Sequence, residues 1–306
     1  MTDNASPPPL AWLLIVLLGV VWGGAFFLAR VAVMEVPPLW LVLLRVALAA
    51  LTLHVALALM GRSVLPHARS WRLFLGMGLL NNAVHFSLLF VGQTALSAGL
   101  ASILNATTPV WTVLIAHWAT SDERMTPGRL TGIALGLAGV AVLFGPALFD
   151  AVASPIWAMA CVIAATMSYG FAGVFGRRLA GIPPVVSSAG QLTASTMVML
   201  PVAALAHGTL DPAFSATTWM AVVTLAVVST ALAYVMFFRI LALAGAVNVS
   251  LVTLIVPASA IVLGAVFLGE RLSASAWVGL ALIAAGLLAL DGRLARRVAG
   301  RARARP

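Results

Sequence analysis

The chain has no lysine, eight acidic residues and one cysteine in 306 positions. Charged residues are 8% of it, against about 25% in an ordinary soluble protein. A soluble fold needs a charged shell, and so few charges cannot supply one. That excludes a cytosolic enzyme, a nucleic-acid-binding domain and a disordered chain. The lone Cys161 excludes a disulfide framework and says nothing about redox compartment. Acids are also missing from span centres: Asp3, Glu35, Asp122, Glu123, Asp150, Asp211, Glu270 and Asp291 fall in tails, loops or span edges. Proton- or sodium-driven pumps commonly hold a membrane-buried carboxylate, so facilitated diffusion or exchange is expected instead. There is no Gly-x4-Gly-Lys-Ser/Thr motif for ATP, and the spans hold no paired carboxylates, His-Glu-x-x-His helix or Ser-Lys pair. Neither a self-contained primary pump nor a membrane-embedded enzyme fits, and no cofactor or metal is expected. A receptor would need a sensing domain, which is absent too.

What is present is apolar: 62% of residues, with mean hydropathy +1.11. A membrane helix needs about 20 apolar residues to cross roughly 30 Å of hydrocarbon. Ten runs qualify: Leu10–Ala29, Leu39–Met60, Leu73–Val91, Ser97–Trp118, Leu130–Phe149, Ile156–Phe175, Val185–Ala206, Trp219–Leu241, Val247–Leu268 and Ala274–Leu290. Pro37-Pro38, Gly61-Arg62-Ser63, Asp122-Glu123-Arg124, Pro183-Pro184, Asp211-Pro212 and Gly269-Glu270-Arg271 mark breaks between them. The junction at Phe90–Leu100 is marked only by Gln93, Ser97 and Gly99. Helices satisfy their own backbone in lipid, so an all-α bundle is expected rather than a barrel. The first run does not read as a cleaved leader, since Met1–Pro9 has no basic residue and carries Asp3.

Arginine placement sets the orientation. With the N-terminus cytoplasmic, inside segments hold Arg62, Arg69, Arg72, Arg124, Arg129, Arg177, Arg178, Arg239 and six tail arginines from Arg293 to Arg305, fourteen in all. Outside loops hold two, Arg30 and Arg271. Both termini are therefore expected inside. The tail reads as an anchor on anionic lipid headgroups, with nucleic acid a minor alternative.

The second half echoes the first. At a spacing of 148, Trp71 falls on Trp219, Phe90 on Phe238, Ala98 on Ala246, Ser102 on Ser250 and Pro109 on Pro257. At 147, Trp22-Gly23 falls on Tyr169-Gly170, Arg30 on Arg177, Glu123-Arg124 on Glu270-Arg271, Gly132 on Gly279 and Gly139 on Gly286. Each repeat has five spans, and an odd number inverts the second copy in the membrane. The expected architecture is an all-α integral membrane protein of ten transmembrane helices in two inverted five-helix repeats. Its parts are a tail at 1–9, a first repeat at 10–149, a second at 150–291 and a basic tail at 292–306.

Pro257 followed by Gly264-Ala265-Val266-Phe267-Leu268-Gly269-Glu270-Arg271-Leu272, with Trp22-Gly23 and the Ala98…Ser102…Pro109 helix, resembles the drug/metabolite transporter superfamily of EamA type. The resemblance covers residues 10–291 and is nearest to the YddG-type amino-acid exporters. It implies export of small metabolites across a bacterial inner membrane. The halves have diverged: Ala116-His117-Trp118-Ala119 stands where the second repeat has Gly264-Ala265-Val266-Phe267.

Polar groups inside spans should face the bundle interior or water. Asn82, His85, Phe86 and Gln93 share one helical face. Ala98, Ser102, Asn105, Pro109, Thr112 and Ala116 form a stripe, matched by Ala246, Ser250, Thr253, Pro257, Ala260 and Gly264. Pro109 and Pro257 should kink symmetry-related helices and free a carbonyl for solute or water. The candidate solute-binding set is Asn82, His85, Phe86, Asn105, Trp22, Tyr169 and Tyr234, with Ser102, Ser250 and Thr253. The competing reading is packing, since Ser and Thr bond back to their own helix and small residues seat helices closely. Gly132-x3-Gly136 and Gly170, Gly173, Gly176 read as such seams. His54 and His117 read as structural, and Trp71, Trp157 and Trp219 as interfacial anchors. His85 is the one midplane group suited to carrying a proton. Arg45 lies seven residues into the second span, within reach of the outer interface by snorkelling; the alternative is binding a carboxylate. Its repeat partner is Gln191. A neutral Asn–His lining with aromatic walls suits an amino acid with an apolar or aromatic side chain, the rival being a drug or lipid. Small solute and membrane lipid are the expected partners, nucleic acid is not, and monomer and homo-oligomer both remain open. A reporter fused after Pro306 should be active only in a cytoplasmic form; periplasmic activity would overturn the span count or the orientation.

Overall fold

A computed structural model describes residues 7–143, 145, 155–259 and 274–291. Asp3, Asp150, the stripe positions Ala260 and Gly264, the 264–272 motif and the arginine tail lie outside the described residues. All regular structure among the described residues is helical. The elements are α1 (Pro9–Val33), α2 (Pro38–Leu59), α3 (Trp71–Gly78, Leu79–Val84 and His85–Ala95), α4 (Ala98–Asn105 and Thr108–Ala119) and α5 (Pro127–Leu143). They continue with α6 (Ile156–Gly176), α7 (Pro184–His207), α8 (Ala216–Ala226, Val227–Leu232 and Ala233–Ser250) and α9 (Ala274–Asp291).

Local sequence explains the ends. Pro9, Pro38 and Pro184 open their helices, where a missing N–H removes no helical bond. Between α3 and α4 Leu96 is extended, and the Ser97 hydroxyl accepts the Leu100 N–H at 3.2 Å, capping α4. The kink expected at Pro109 is a break at Ala106–Thr107. The freed carbonyl is not left for solute, however. The Thr108 hydroxyl donates to the Asn105 carbonyl at 2.7 Å, so the chain closes its own gap. Pro257 lies within helical residues 252–259, and the break there falls earlier, at Leu251.

Seven helical stretches among the described residues are long and apolar enough to cross a membrane, and Pro127–Val142 and Trp277–Leu290 are shorter apolar helices. Ala216–Ser250 has 35 residues, about 52 Å of helix, well beyond roughly 30 Å of hydrocarbon. It is interrupted at Gly245, whose φ of 82° is left-handed. A side chain there would also strike the Glu123 carboxylate, so only glycine fits. Residues beyond it turn back along α1: the Ser259 hydroxyl donates to the Gly19 carbonyl at 3.0 Å. Large apolar side chains stand on the outer surface, among them Leu59, Trp118, Ile156 and Leu205, each at least 80% exposed. In a multi-pass membrane protein that surface meets lipid.

Inside, α2 lies along α7, α3 along α6 and α5 along α9. The α5–α9 contact is made by glycine. A Cβ on Gly132 would sit 2.8 Å from the Gly286 carbonyl oxygen, and one on Gly139 would sit 2.7 Å from that of Gly279. The numbers run in opposite directions, so the two helices are antiparallel. Such close approach is how helices gain packing in lipid. Leucine at Gly132 would displace Leu290 and the α9 backbone. Gly132→Leu should therefore cost about 1–3 kcal/mol or more, the usual penalty of overpacking. It should show as a sharp fall in monodisperse protein on gel filtration.

Candidate functional site

Two helices widen into a π turn, α3 at Leu79–Val84 and α8 at Val227–Leu232, positions 148 apart. A π turn shifts the bonding pattern and leaves backbone carbonyls to other donors. Each is held by a helix of the other half. The Ser229 carbonyl in α8 accepts Trp22 Nε1–H from α1 at 3.0 Å and an Arg45 Nη2–H from α2 at 3.2 Å; Arg45 Nε–H also bonds Thr230 Oγ1 at 2.6 Å. At α3 the clamp comes from α7: Asn81 Nδ2 donates to Gln191 Oε1 at 3.2 Å, and Asn82 Nδ2 to Ser195 Oγ at 2.8 Å.

A buried cavity of about 40 Å³ lies beside these turns, walled by α1, α2, α3, α4, α6, α8 and residues 253 and 256. That is room for two or three waters. Trp22, His85, Phe86, Asn105, Tyr169, Tyr234 and Thr253 from the candidate set all line it. Their rings form one cluster: Trp22 meets Tyr169 at 5.9 Å and Tyr234 at 6.4 Å edge to face, and His85 lies 5.2 Å from Tyr169. His85 Nδ1 is 2.9 Å from the Ala165 carbonyl. A carbonyl only accepts, so Nδ1 carries the proton and a neutral ring presents Nε2 as an acceptor.

Other candidates lie elsewhere. Asn82 is fully buried in the α3–α7 contact and does not line the cavity. Ser102 and Ser250 bond back to the Gly99 and Val247 carbonyls, at 2.7 Å each, and do not line it either. Pro109 and Pro257 are not among the lining residues. His54 bonds Thr193 at 2.8 Å, and His117 accepts the Met125 N–H at 3.2 Å, both structural arrangements.

Arg45 corrects the snorkelling expectation. Its residue is 4% exposed, it lines the cavity, and its guanidinium carbon is 3.9 Å from the centre of the Phe86 ring. Burying the head was the costlier choice on span position alone, and the π turn makes it possible by supplying a carbonyl and a hydroxyl. Phe26, Leu89, Phe90 and Gln93 also line the cavity. Gln93 was legible as a member of the Asn82–His85–Phe86 face, whereas the others are apolar and carry no distinguishing signal.

A second, larger hollow of about 890 Å³ opens among the α4–α5 and α6–α7 connections and the end of α8. Phe238 and Leu241 line it. The fully buried Phe237 contacts Tyr169 and Tyr234 of the cavity lining and Phe238 of the vestibule lining. At the opposite end of the bundle Arg30 donates to the Gln93 carbonyl at 2.6 Å, and Glu35 accepts the Ser215 N–H and hydroxyl at 2.8 Å each. In the vestibule Arg177 and Asp122 pair fork to fork, at 2.5 and 2.9 Å. The neighbouring Glu123 is buried and accepts the Val247 N–H at 3.3 Å.

An apolar helical bundle with a central aromatic cavity and a larger vestibule at one end is the arrangement of a membrane transporter. The sequence matches the EamA-like transporter family twice, over residues 9–145 and 156–290, and the chain belongs to that family. It is 28% identical over 286 residues to a "Probable amino-acid metabolite efflux pump" of Escherichia coli (strain K12), covering 90% of this chain and 92% of that one. It is 22% identical over 284 residues to the "Uncharacterized transporter YoaV" of Bacillus subtilis (strain 168), covering 92% and 97%. An "Uncharacterized inner membrane transporter YedA" of Escherichia coli (strain K12) is 27% identical over 270 residues, covering 87% and 85%. A solved crystal structure shares the fold with a TM-score of 0.73 at 21% identity, covering 94% of this chain and 98% of its own. The family and these relatives are transporters, not enzymes.

The vestibule pair has a pH signature. The hydrogen bond from Arg177 holds the Asp122 carboxyl below its usual range, while burial raises that of Glu123. A depressed carboxylate adds stability above its unfolded pKa and loses it as pH falls through the folded value. Asp122 is partly exposed, so its share is modest. Asp122→Asn should lower Tm at pH 7 by a few degrees, with the gap to the parent narrowing as pH falls below the ordinary aspartate range. A gap that stays constant from pH 7 into acid would show that the pair's charge is not what stabilises this end.

Proposed function

We propose that the chain is a secondary exporter of small metabolites, with amino acids bearing apolar or aromatic side chains as preferred cargo. It works by alternating access between two inverted five-helix halves, ten spans in all, in a bacterial inner membrane with both termini cytoplasmic. The observation that carries this is the cavity: rings from both halves, Trp22, His85 and Phe86 with Tyr169 and Tyr234, enclose one polar-edged space. Inversion is supported by the α5–α9 seam. Gly132 and Gly139 correspond to Gly279 and Gly286 in the repeat, and they meet Gly286 and Gly279 respectively. Such an exchange of equivalent contacts is what a two-fold axis across antiparallel helices produces. The π turns at equivalent positions support it as well.

By the arginine count the vestibule is the cytoplasmic end, which makes it the loading side for export. The acids among the described residues, Glu35, Asp122, Glu123, Asp211 and Asp291, lie at helix ends or in connections. Movement down the solute's own gradient, or exchange, follows, with no obligatory ion. In liposomes, labelled phenylalanine should exchange with no imposed proton or sodium gradient. His85→Ala should slow it about tenfold, as losing roughly 1.4 kcal/mol would, and should elute on gel filtration as the parent does. Uptake that appears only with a proton gradient and disappears in His85→Ala would make His85 a coupling residue instead. Exchange of dyes but of no amino acid would favour the drug-exporter reading.

A further inference from the structure

Arg45 holds a full positive charge inside the bundle, and the groups it bonds and stacks on are neutral. Nε–H goes to the Thr230 hydroxyl, one Nη2–H to the Ser229 carbonyl, and the flat face lies on Phe86 with Phe90 beyond, 5.7 Å away. Among the described residues the ion pairs are those of Arg177, at the far vestibule. A guanidinium stays protonated at any working pH, so it cannot escape burial by neutralising. A buried cation with no counter-charge is costly. Its remaining N–H donors belong to a side chain that lines the cavity.

The same cavity is lined by polar atoms that lack a partner. Gln93 is fully buried; its Nε2 donates to the Phe26 carbonyl at 3.3 Å. A carbonyl accepts only, which fixes the amide orientation and leaves Oε1 as a buried acceptor without a donor. The Tyr169 hydroxyl is likewise buried without a hydrogen bond. Buried polar groups are nearly always satisfied, and these two belong to residues that line the same cavity as Arg45.

We propose that Arg45 anchors a carboxylate of the transported solute, with Gln93 Oε1 and the Tyr169 hydroxyl taking up its hydrogen-bond donors. The proposal rests on the reading of this cavity as the transport site and narrows the cargo to organic monocarboxylates that also carry N–H groups. A single guanidinium matches a single negative charge, and its fork fits the two oxygens of a carboxylate. The same charge repels cationic amines, so simple amines and cationic dyes are disfavoured. The cavity holds only two or three waters as it stands, so the solute enters by displacing rings such as Phe237 at its vestibule side. The half-molecule counterpart of Arg45 is the neutral Gln191, so the carboxylate always binds on the α2 side and the solute has one orientation.

The experiment is counterflow in liposomes with labelled phenylalanine, competed by phenylalanine, phenylalaninamide and phenethylamine. The parent protein should prefer the free acid over the amide by at least tenfold, and Arg45→Gln should bring the two within about threefold. Arg45→Lys, which keeps the charge but not the fork, should fall between. Equal competition by acid and amide in the parent, or a preference that survives intact in Arg45→Gln, overturns the proposal. Should neither variant yield monodisperse protein, the parent's acid-to-amide ratio alone decides. If phenylalanine shows no counterflow at all, the amino-acid reading fails separately. Arg45 is then judged on thermal shifts of the parent with indole-3-acetate, indole-3-propionate and their amides. Stabilisation by the acids only supports the anchor; equal shifts, or none, overturn it.

Discussion

A polar group sealed among apolar helices has to be satisfied by the protein itself, and in this chain that requirement ties the halves together. The two π turns release carbonyls that lipid cannot serve. At α8 the donors arrive from Trp22 and Arg45, and at α3 the contacts come from Gln191 and Ser195. In both cases the partner helix belongs to the opposite repeat. The bundle therefore coheres through crossed pairs, with α2 reaching α8 and α7 reaching α3, and the central cavity is what remains between the two clamps.

That arrangement explains why the cavity is ringed rather than open. Trp22 both bonds the Ser229 carbonyl and packs its ring against Tyr169, Tyr234 and Phe237. One side chain thus fixes an edge of the clamp and a wall of the cavity. His85 plays the matching part on α3, with Nδ1 committed to the Ala165 carbonyl and its ring against Phe86 and Tyr169.

Much of this was legible in the chain. Run lengths, prolines at helix starts and the spaced repeats depend on local chemistry and on the thickness of hydrocarbon, so they are readable without coordinates. Helical spacing put His85, Phe86 and Gln93 on one face and the repeat paired Trp22 with Tyr169, and all five line one cavity together with Tyr234. Three readings needed the third dimension. Asn82 shares a helical face with His85, but its turn is π rather than α, and it faces Ser195 instead of the cavity. Ser102 and Ser250 obey the local rule of back-bonding, which sequence cannot weigh against a role in the cavity. Arg45 looked able to reach the interface, and only the free carbonyl of a turn nearly two hundred positions away makes burial preferable.

The glycine seam between α5 and α9 has a mechanical meaning. Sliding one helix along the other by a turn, about 5.4 Å, would set Leu282 or Leu290 where Gly286 now meets Gly132. Either leucine would drive into backbone, so the pair is toothed against axial slip like a rack without play. Pivoting about the glycines keeps their contacts while lengthening every other arm. A rocking of one half against the other that kept this seam intact would have to pivot on it.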